Sequence, residues 1–172
     1  LLNGKRKEDK LFTLVWNMYT GNYLRTEGTN GVLNFGKQFT QRPTRLKGYF
    51  KYTSVEINKS NDEMKYLIGQ PDTCQIFIAL GDWSEPVEIR TKPSDRKLFD
   101  KNDPHIIAYA DMYSGKSITE YTPFTLELEY RDTDRIPTYI VVVASASKYG
   151  DYFTGGDGSV LFLDDFTLEY DY

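Results

Sequence analysis

Ten residues near the C-terminal end, Thr138–Ser147 ("TYIVVVASAS"), are apolar on both faces of the alternation that a β-strand imposes. A strand of that kind belongs at the centre of a sheet, and few folds offer such a place. "CQIFIALGDW" (Cys74–Trp83) is nearly as continuous, and "HIIAYADMY" (His105–Tyr113) is another apolar run. Other segments alternate. In "TRLKGYFKY", Leu46, Phe50 and Tyr52 face one way, while Arg45, Lys47, Tyr49 and Lys51 face the other. "FTLELEY" sets Phe124, Leu126, Leu128 and Tyr130 inward, and "LFTLVW" (Leu11–Trp16) is a short strand candidate. Asn30-Gly31 is a strong hairpin signal and places a tight turn there. Residues 54–72 read as a loop, and the last strand runs from about Ser159 to Tyr170. Seven or eight strands with no long amphipathic helix predict an all-β fold, a β-sandwich or jelly roll. With no repeat or linker, residues 1–172 read as a single domain.

The final strand poses a question of its own. Strict alternation puts Val160, Phe162, Phe166, Leu168 and Tyr170 on one face, with Asp164 among them and Asp165 behind. A buried carboxylate needs a partner. The candidates are an arginine such as Arg42 or Arg45, a set of backbone N–H groups, or a structural Ca²⁺ shared with the loop carboxylates Asp157 and Asp151.

Composition narrows the function. Aromatic residues make up 15% of the chain, with 14 Tyr and 10 Phe, which favours β structure and binding surfaces. A net charge of −4 argues against nucleic acid as the partner. The lone Cys74 forms no internal disulfide, and one Cys with one His builds no zinc site. No apolar run is long enough to insert in a membrane. The chain opens at Leu1 without a signal pattern, so it reads as a piece of a longer protein.

Three segments taken in order, "RPTRLKGYFKY", "HIIAYADMY" and "PTYIVVVASASKYGDYFTGGDGSVLFLDDFTLEY", resemble a known family. It is the family described as the putative carbohydrate metabolism domain, and the resemblance runs from about Thr20 to Tyr170. It implies a jelly-roll sandwich like those of carbohydrate-binding modules and a poly- or oligosaccharide as partner. It also implies a place at the C-terminal end of an exported or surface lipoprotein of Gram-negative gut bacteria, with any lipid anchor upstream. The family carries no catalytic signature, and none is transferred.

Candidate ligand-binding residues follow from chemistry. Sugars offer apolar C–H faces to rings and hydroxyls to paired donors and acceptors. The glycine-rich loop "SKYGDYFTGGDGS" holds Tyr149, Tyr152 and Phe153. Trp83, ending a strand beside Asp82 and Glu85, and Trp16, next to Asn17, each suit either a stacking platform or a place capping the core, and Tyr49 shares a polar face with Arg45, Lys47 and Lys51. Glycoside hydrolysis is the alternative, and it needs two carboxyls about 5–5.5 or 6.5–9.5 Å apart. Glu127 and Glu129 sit at i, i+2 on one face, a spacing that "ELE" shares with any solvated strand. His105 has no nucleophile motif around it and reads as structural. A structural or adhesive surface domain is the third reading.

Overall fold

The computed structural model describes residues 17–171, so the strand expected at Leu11–Trp16, and Trp16 with it, lies outside the described residues. Among the described residues the strands form three sheets in three layers. The central sheet has the order β1 (Asn17–Tyr19), β11 (Tyr139–Ser145), β6 (Cys74–Gly81), β8 (Ile106–Ser114) and β10 (Glu129–Tyr130). A short β4 (Lys37–Gln38) also pairs with β11. One flanking sheet is β12 (Val160–Glu169), β5 (Arg45–Thr53) and β9 (Ile118–Glu127). The other is β2 (Gly21–Glu27), β3 (Asn30–Phe35) and β7 (Val87–Arg90).

The two-sided apolar strands now have their reason. Even-numbered residues of β6 and β11, among them Ile76, Ile78, Leu80, Ile140 and Val142, pack against Leu46, Phe50, Phe124 and Leu126 of the β12–β5–β9 sheet. Odd-numbered ones, Phe77, Ala79, Val141 and Val143, join a second core with Phe35, Ile89 and Trp83. Each buried Leu, Ile or Phe contributes about 1.5–3 kcal/mol, so both faces of the central sheet hold the layers together. β9 and β10 carry the chain from one layer to the next: Glu127 pairs with Arg45 in the flanking sheet, and Glu129 with Tyr109 in the central one.

Two expectations need correction. The hairpin turn is Gly28-Thr29, because Glu27 and Asn30 are register partners, so Asn30-Gly31 begins β3 instead. The Asn30 side chain serves the turn differently, donating from Nδ2 to the Glu27 carbonyl at 3.3 Å.

The second correction concerns Asp164, which is exposed, as is Asp165. The register of β12 on β5 shifts between Asp164 and Thr167, a β-bulge with Asp165 in the left-handed region at φ +54°. Before the bulge Leu161 and Leu163 face the core; after it Phe166 and Leu168 do. The bulge thus exchanges odd for even, and both carboxylates point to water. Aspartate is among the few residues that enter this backbone region at modest cost. The exchange drops Phe166 onto Gly48, where a Cβ would stand 2.6 Å from the ring, and sets Phe166 5.2 Å from the Phe124 ring.

No buried carboxylate therefore calls for calcium or an arginine at this position. Arg45 turns to Asp171 at 2.8 Å, and Arg42 donates to the carbonyls of Arg135 and Asp132 at 2.7 and 2.9 Å. Asp157 lies in the loop before β12, its N–H donating to Asn58 Oδ1 at 2.9 Å. Among the described residues no group of three or more His, Cys, Asp or Glu is placed to hold a metal.

Asp164→Ala is expected to change stability by no more than about 0.5 kcal/mol. Asp165→Gly should match or exceed the wild type, and Asp165→Val should lose about 1–2 kcal/mol through the left-handed backbone. Urea denaturation of the three variants checks the bulge assignment.

Candidate functional site

The β2–β3–β7 sheet covers only part of the central sheet's odd-numbered face. Register pairs order that face in rows: Val141–Ala79–Tyr109, then Val143–Phe77–Asp111, then Ser145–Gln75–Tyr113. Polarity rises along them, and the open end forms a cleft of about 190 Å³. Phe77, Tyr109, Val143, Gln75 and Tyr113 make the floor. Leu98, Phe99 and Lys101 wall it from one loop, and Lys148, Asp151 and Tyr152 from the loop after β11.

Hydrogen bonds fix the polar part of the floor. Asp111 Oδ2 accepts from the hydroxyls of Tyr109 at 3.0 Å and Tyr113 at 2.8 Å, and Gln75 Nε2 donates to the Tyr113 hydroxyl at 3.1 Å. Burial, reinforced by these bonds to Asp111, raises both phenols, that of Tyr113 to about 12. Both rings remain neutral donors at physiological pH. Lys148 Nζ stands over the Tyr113 ring at 4.5 Å and the Tyr149 ring at 5.3 Å.

The loop walls are held from behind. Trp83 is 7% exposed, which places it with the core and not on a stacking platform. Its Nε1 donates to Asp103 at 3.0 Å, and its ring meets Phe99 edge-on at 6.2 Å, so it braces the wall that Phe99 presents. His105 pairs with Asp82 at 2.8 Å, and Asp82 also accepts from Arg135 at 3.1 Å, a network at the base of the same loop. Burial raises the Asp82 carboxyl, but the bonds from His105 and Arg135 prevail and leave it below its ordinary value.

On the other side, the Arg96 guanidinium lies 4.4 Å over the Tyr152 ring and donates from Nη1 to Glu63 at 2.6 Å. Its Nε and Nη2 are buried with no hydrogen-bond partner among the described residues. Asp151 sits beside it, half-buried; burial raises its carboxyl, and the Arg96 charge opposes the rise.

What keeps this second loop in place is Asp72, 1% exposed just before β6. Its carboxylate accepts from the Thr73 and Gly156 N–H groups, each at 2.8 Å, and from the Ser147 hydroxyl. Gly156 passes so close to the 54–59 segment that a Cβ would stand 2.6 Å from Val55 Cγ2. That contact, with the Lys59–Gly155 bridge, explains the paired glycines of "FTGG".

Of the residues singled out from the sequence, Tyr152 lines the cleft and Tyr149 flanks it through Lys148. Phe153 ends the short 3₁₀ turn at φ +53° with its side chain exposed. Tyr49 lies on the outer face of the β12–β5–β9 sheet, away from the cleft. Sequence reasoning passed over Tyr109, Asp111 and Tyr113, although "AYADMY" places all three on one strand face by alternation. Glu127 and Glu129, split between two sheets, line a separate hollow of about 200 Å³ with Asp111 and Tyr109.

Two variants test this framework. Asp72→Ala leaves buried N–H groups without an acceptor and is expected to cost about 3 kcal/mol in urea unfolding. Asp151 follows a pH rule. A raised carboxyl means the folded chain holds this proton more tightly than the unfolded one. Its contribution to stability therefore falls as pH climbs from the ordinary carboxyl value, about 3.9, through the raised one. Asp151→Asn should match the wild-type thermal midpoint at pH 3 and exceed it at pH 7.

Comparison with known proteins agrees with this architecture. A solved structure from Bacteroides thetaiotaomicron VPI-5482, described as a putative glycoside hydrolase, superposes with a TM-score of 0.63 at 23% identity. The match covers 83% of this chain and 47% of that one. A second, from Bacteroides vulgatus ATCC 8482 and described in the same words, gives 0.62 at 21% identity, covering 82% of this chain and 63% of that one. The chain therefore spans less than two thirds of either structure, and at these identities the likeness is one of fold. Among curated proteins none matches the chain. The model of the family described as the putative carbohydrate metabolism domain matches residues 7–169, nearly the whole sequence, and the chain belongs to that family.

Proposed function

We propose that this domain is a non-catalytic carbohydrate-binding module whose cleft takes a saccharide, in the setting that the resemblance implies: a longer exported protein of the bacterial surface. The observation that carries the reading is the make-up of the cleft. Rings of Phe77, Phe99, Tyr109, Tyr113 and Tyr152 meet Gln75, Lys101, Lys148 and Asp151 in one concavity. Rings suit the C–H faces of a sugar, and the polar groups suit its hydroxyls. The size supports a small guest: 190 Å³ is below the ~300 Å³ at which pockets for larger ligands begin, and suits one or two units of a chain.

Membership in a carbohydrate metabolism family supports the ligand class. Hydrolysis is the second reading, favoured by the description of both structural neighbours and by the hollow where Asp111, Glu127 and Glu129 gather. Binding is preferred for two reasons. Among the described residues that line the ring-walled cleft, Asp151 is the only carboxylate, where a glycosidase needs two. In the other hollow, Asp111 is engaged by two tyrosines, and Glu127 lies 3.6 Å from Arg45.

Affinity electrophoresis through gels loaded with soluble polysaccharides, each lane assayed for released sugar, separates the two. Retardation without release is expected. Tyr113→Ala should weaken it by about threefold to tenfold, the loss of one ring contact. Released sugar that disappears in Glu129→Gln would establish hydrolysis instead.

A further inference from the structure

The outer face of the β12–β5–β9 sheet looks away from both cores, on the side of the molecule opposite the cleft. Register places Phe162 beside Lys51, with Tyr121 in the bulged stretch of β9 on the other side, and sets Asp164, Tyr49 and Pro123 in the next row. Tyr49, Tyr121 and Phe162 are 44%, 48% and 42% exposed. Lys51 Nζ lies 4.6 Å from the Phe162 ring and 5.3 Å from the Tyr121 ring, so its ammonium sits between the two and fixes both. With adjacent strands ~4.8 Å apart, the rings occupy a strip roughly 10 Å across.

Two further observations mark this strip. Both edge strands depart from regular pairing at this level: β12 between Asp164 and Thr167, and β9 where it passes Phe50 to Tyr52. Bulges re-aim side chains, and the one in β12 keeps a non-glycine residue, Asp165, in the left-handed region. Backbone of that kind collects at binding and catalytic sites. The bulge in β12 begins only after Asp164, which keeps the outward phase of Phe162 and meets water opposite Tyr49.

We propose that this face is a second carbohydrate-binding surface, on which a neutral oligo- or polysaccharide chain stacks against Tyr49, Tyr121 and Phe162 while Lys51 and Asp164 meet its hydroxyls. A saccharide fits better than a protein partner because the large hydrophobic side chains exposed here are rings alone, set among lysine, threonine and aspartate. A protein interface of standard size would need about 800 Å² per partner with an apolar centre. A neutral chain is favoured because Lys51 is already held between two rings and the exposed Asp164 and Asp165 would repel anionic sugars, while charges farther along the face pair among themselves: Lys47 with Glu169 at 2.7 Å, and Arg45 with Asp171 at 2.8 Å.

The ligand class rests on the carbohydrate reading of the family, whereas the surface is independent of the cleft. The test uses the wild type, Tyr49→Ala/Phe162→Ala, and Tyr113→Ala/Lys148→Gln, with thermal midpoints measured to show that each is folded. All three are run in gels of soluble starch, hydroxyethylcellulose, galactomannan and xylan. They are then titrated with an oligosaccharide cut from the polymer that retains the wild type. Two sites per wild-type chain, one in each double variant, and about tenfold weaker retardation of Tyr49→Ala/Phe162→Ala are expected. One site in the wild type, with Tyr49→Ala/Phe162→Ala retarded like it, overturns the second surface and leaves the cleft. One site lost only in Tyr49→Ala/Phe162→Ala leaves this surface and overturns the cleft. Free migration of the wild type in every gel overturns both.

Discussion

The carboxylate of Asp72 is the point on which the site depends. It is almost fully buried and would be costly there without partners, yet its acceptors are met by the Thr73 and Gly156 N–H groups and the Ser147 hydroxyl. Those donors come from two distant parts of the chain, the entry to β6 and the long loop between β11 and β12. One residue thus clamps the loop's two ends, at Ser147 and Gly156, and the segment between them presents Lys148, Asp151 and Tyr152 to the cleft. A loop of that length left free would lose the order that pre-forms a binding wall. The clamp supplies this order from inside the protein, at no expense in exposed surface.

The central sheet explains why a cleft exists at all. A sheet apolar on both faces must be covered on both, and the two flanking sheets differ in reach. The β12–β5–β9 layer packs along one face, while the β2–β3–β7 layer stops short. Where cover ends, the sequence changes character: along β11 and β6, Val141 and Ala79 give way to Ser145 and Gln75, beside Tyr113 of β8. The polar ends of three adjacent strands are thus the edge of the third layer, written into the alternation.

Much of this was legible beforehand, and the failures share a cause. The continuous runs at 74–83 and 138–147 and the alternating runs at 45–52 and 124–130 fold as strands on the expected faces, because period and composition there agree. The sequence leaves Trp83 open between core and platform because its place at a strand end conceals the tertiary fact that it turns back over Gly81, where a Cβ would stand 2.4 Å from the ring. The tyrosines of β8 were overlooked because a run of apolar residues hides which face stays uncovered. Pairing between elements remote in sequence decides both, and no local window contains it.

Asp164 gives the sharpest case of that limit. Periodicity arguments carry phase from one end of a strand to the other, and a single extra residue reverses it. Val160 and Phe162 do not share a face with Phe166 and Leu168, since the residue at φ +54° between them rotates the chain by half a period. What reads as a buried charge is the signature of a bulge: two adjacent carboxylates, one of them able to take a left-handed backbone, between two apolar series of opposite parity. The same inversion lets Phe166 fill the space over Gly48 while Tyr49, one residue along β5, faces water among exposed rings. Core packing and the outer aromatic face are therefore set by one backbone irregularity. A substitution that straightened β12 would either bury Asp164 and expose Leu163, or bury Asp165 and expose Phe166, so the bulge is held by the hydrophobic core beneath it as firmly as by its own turn chemistry.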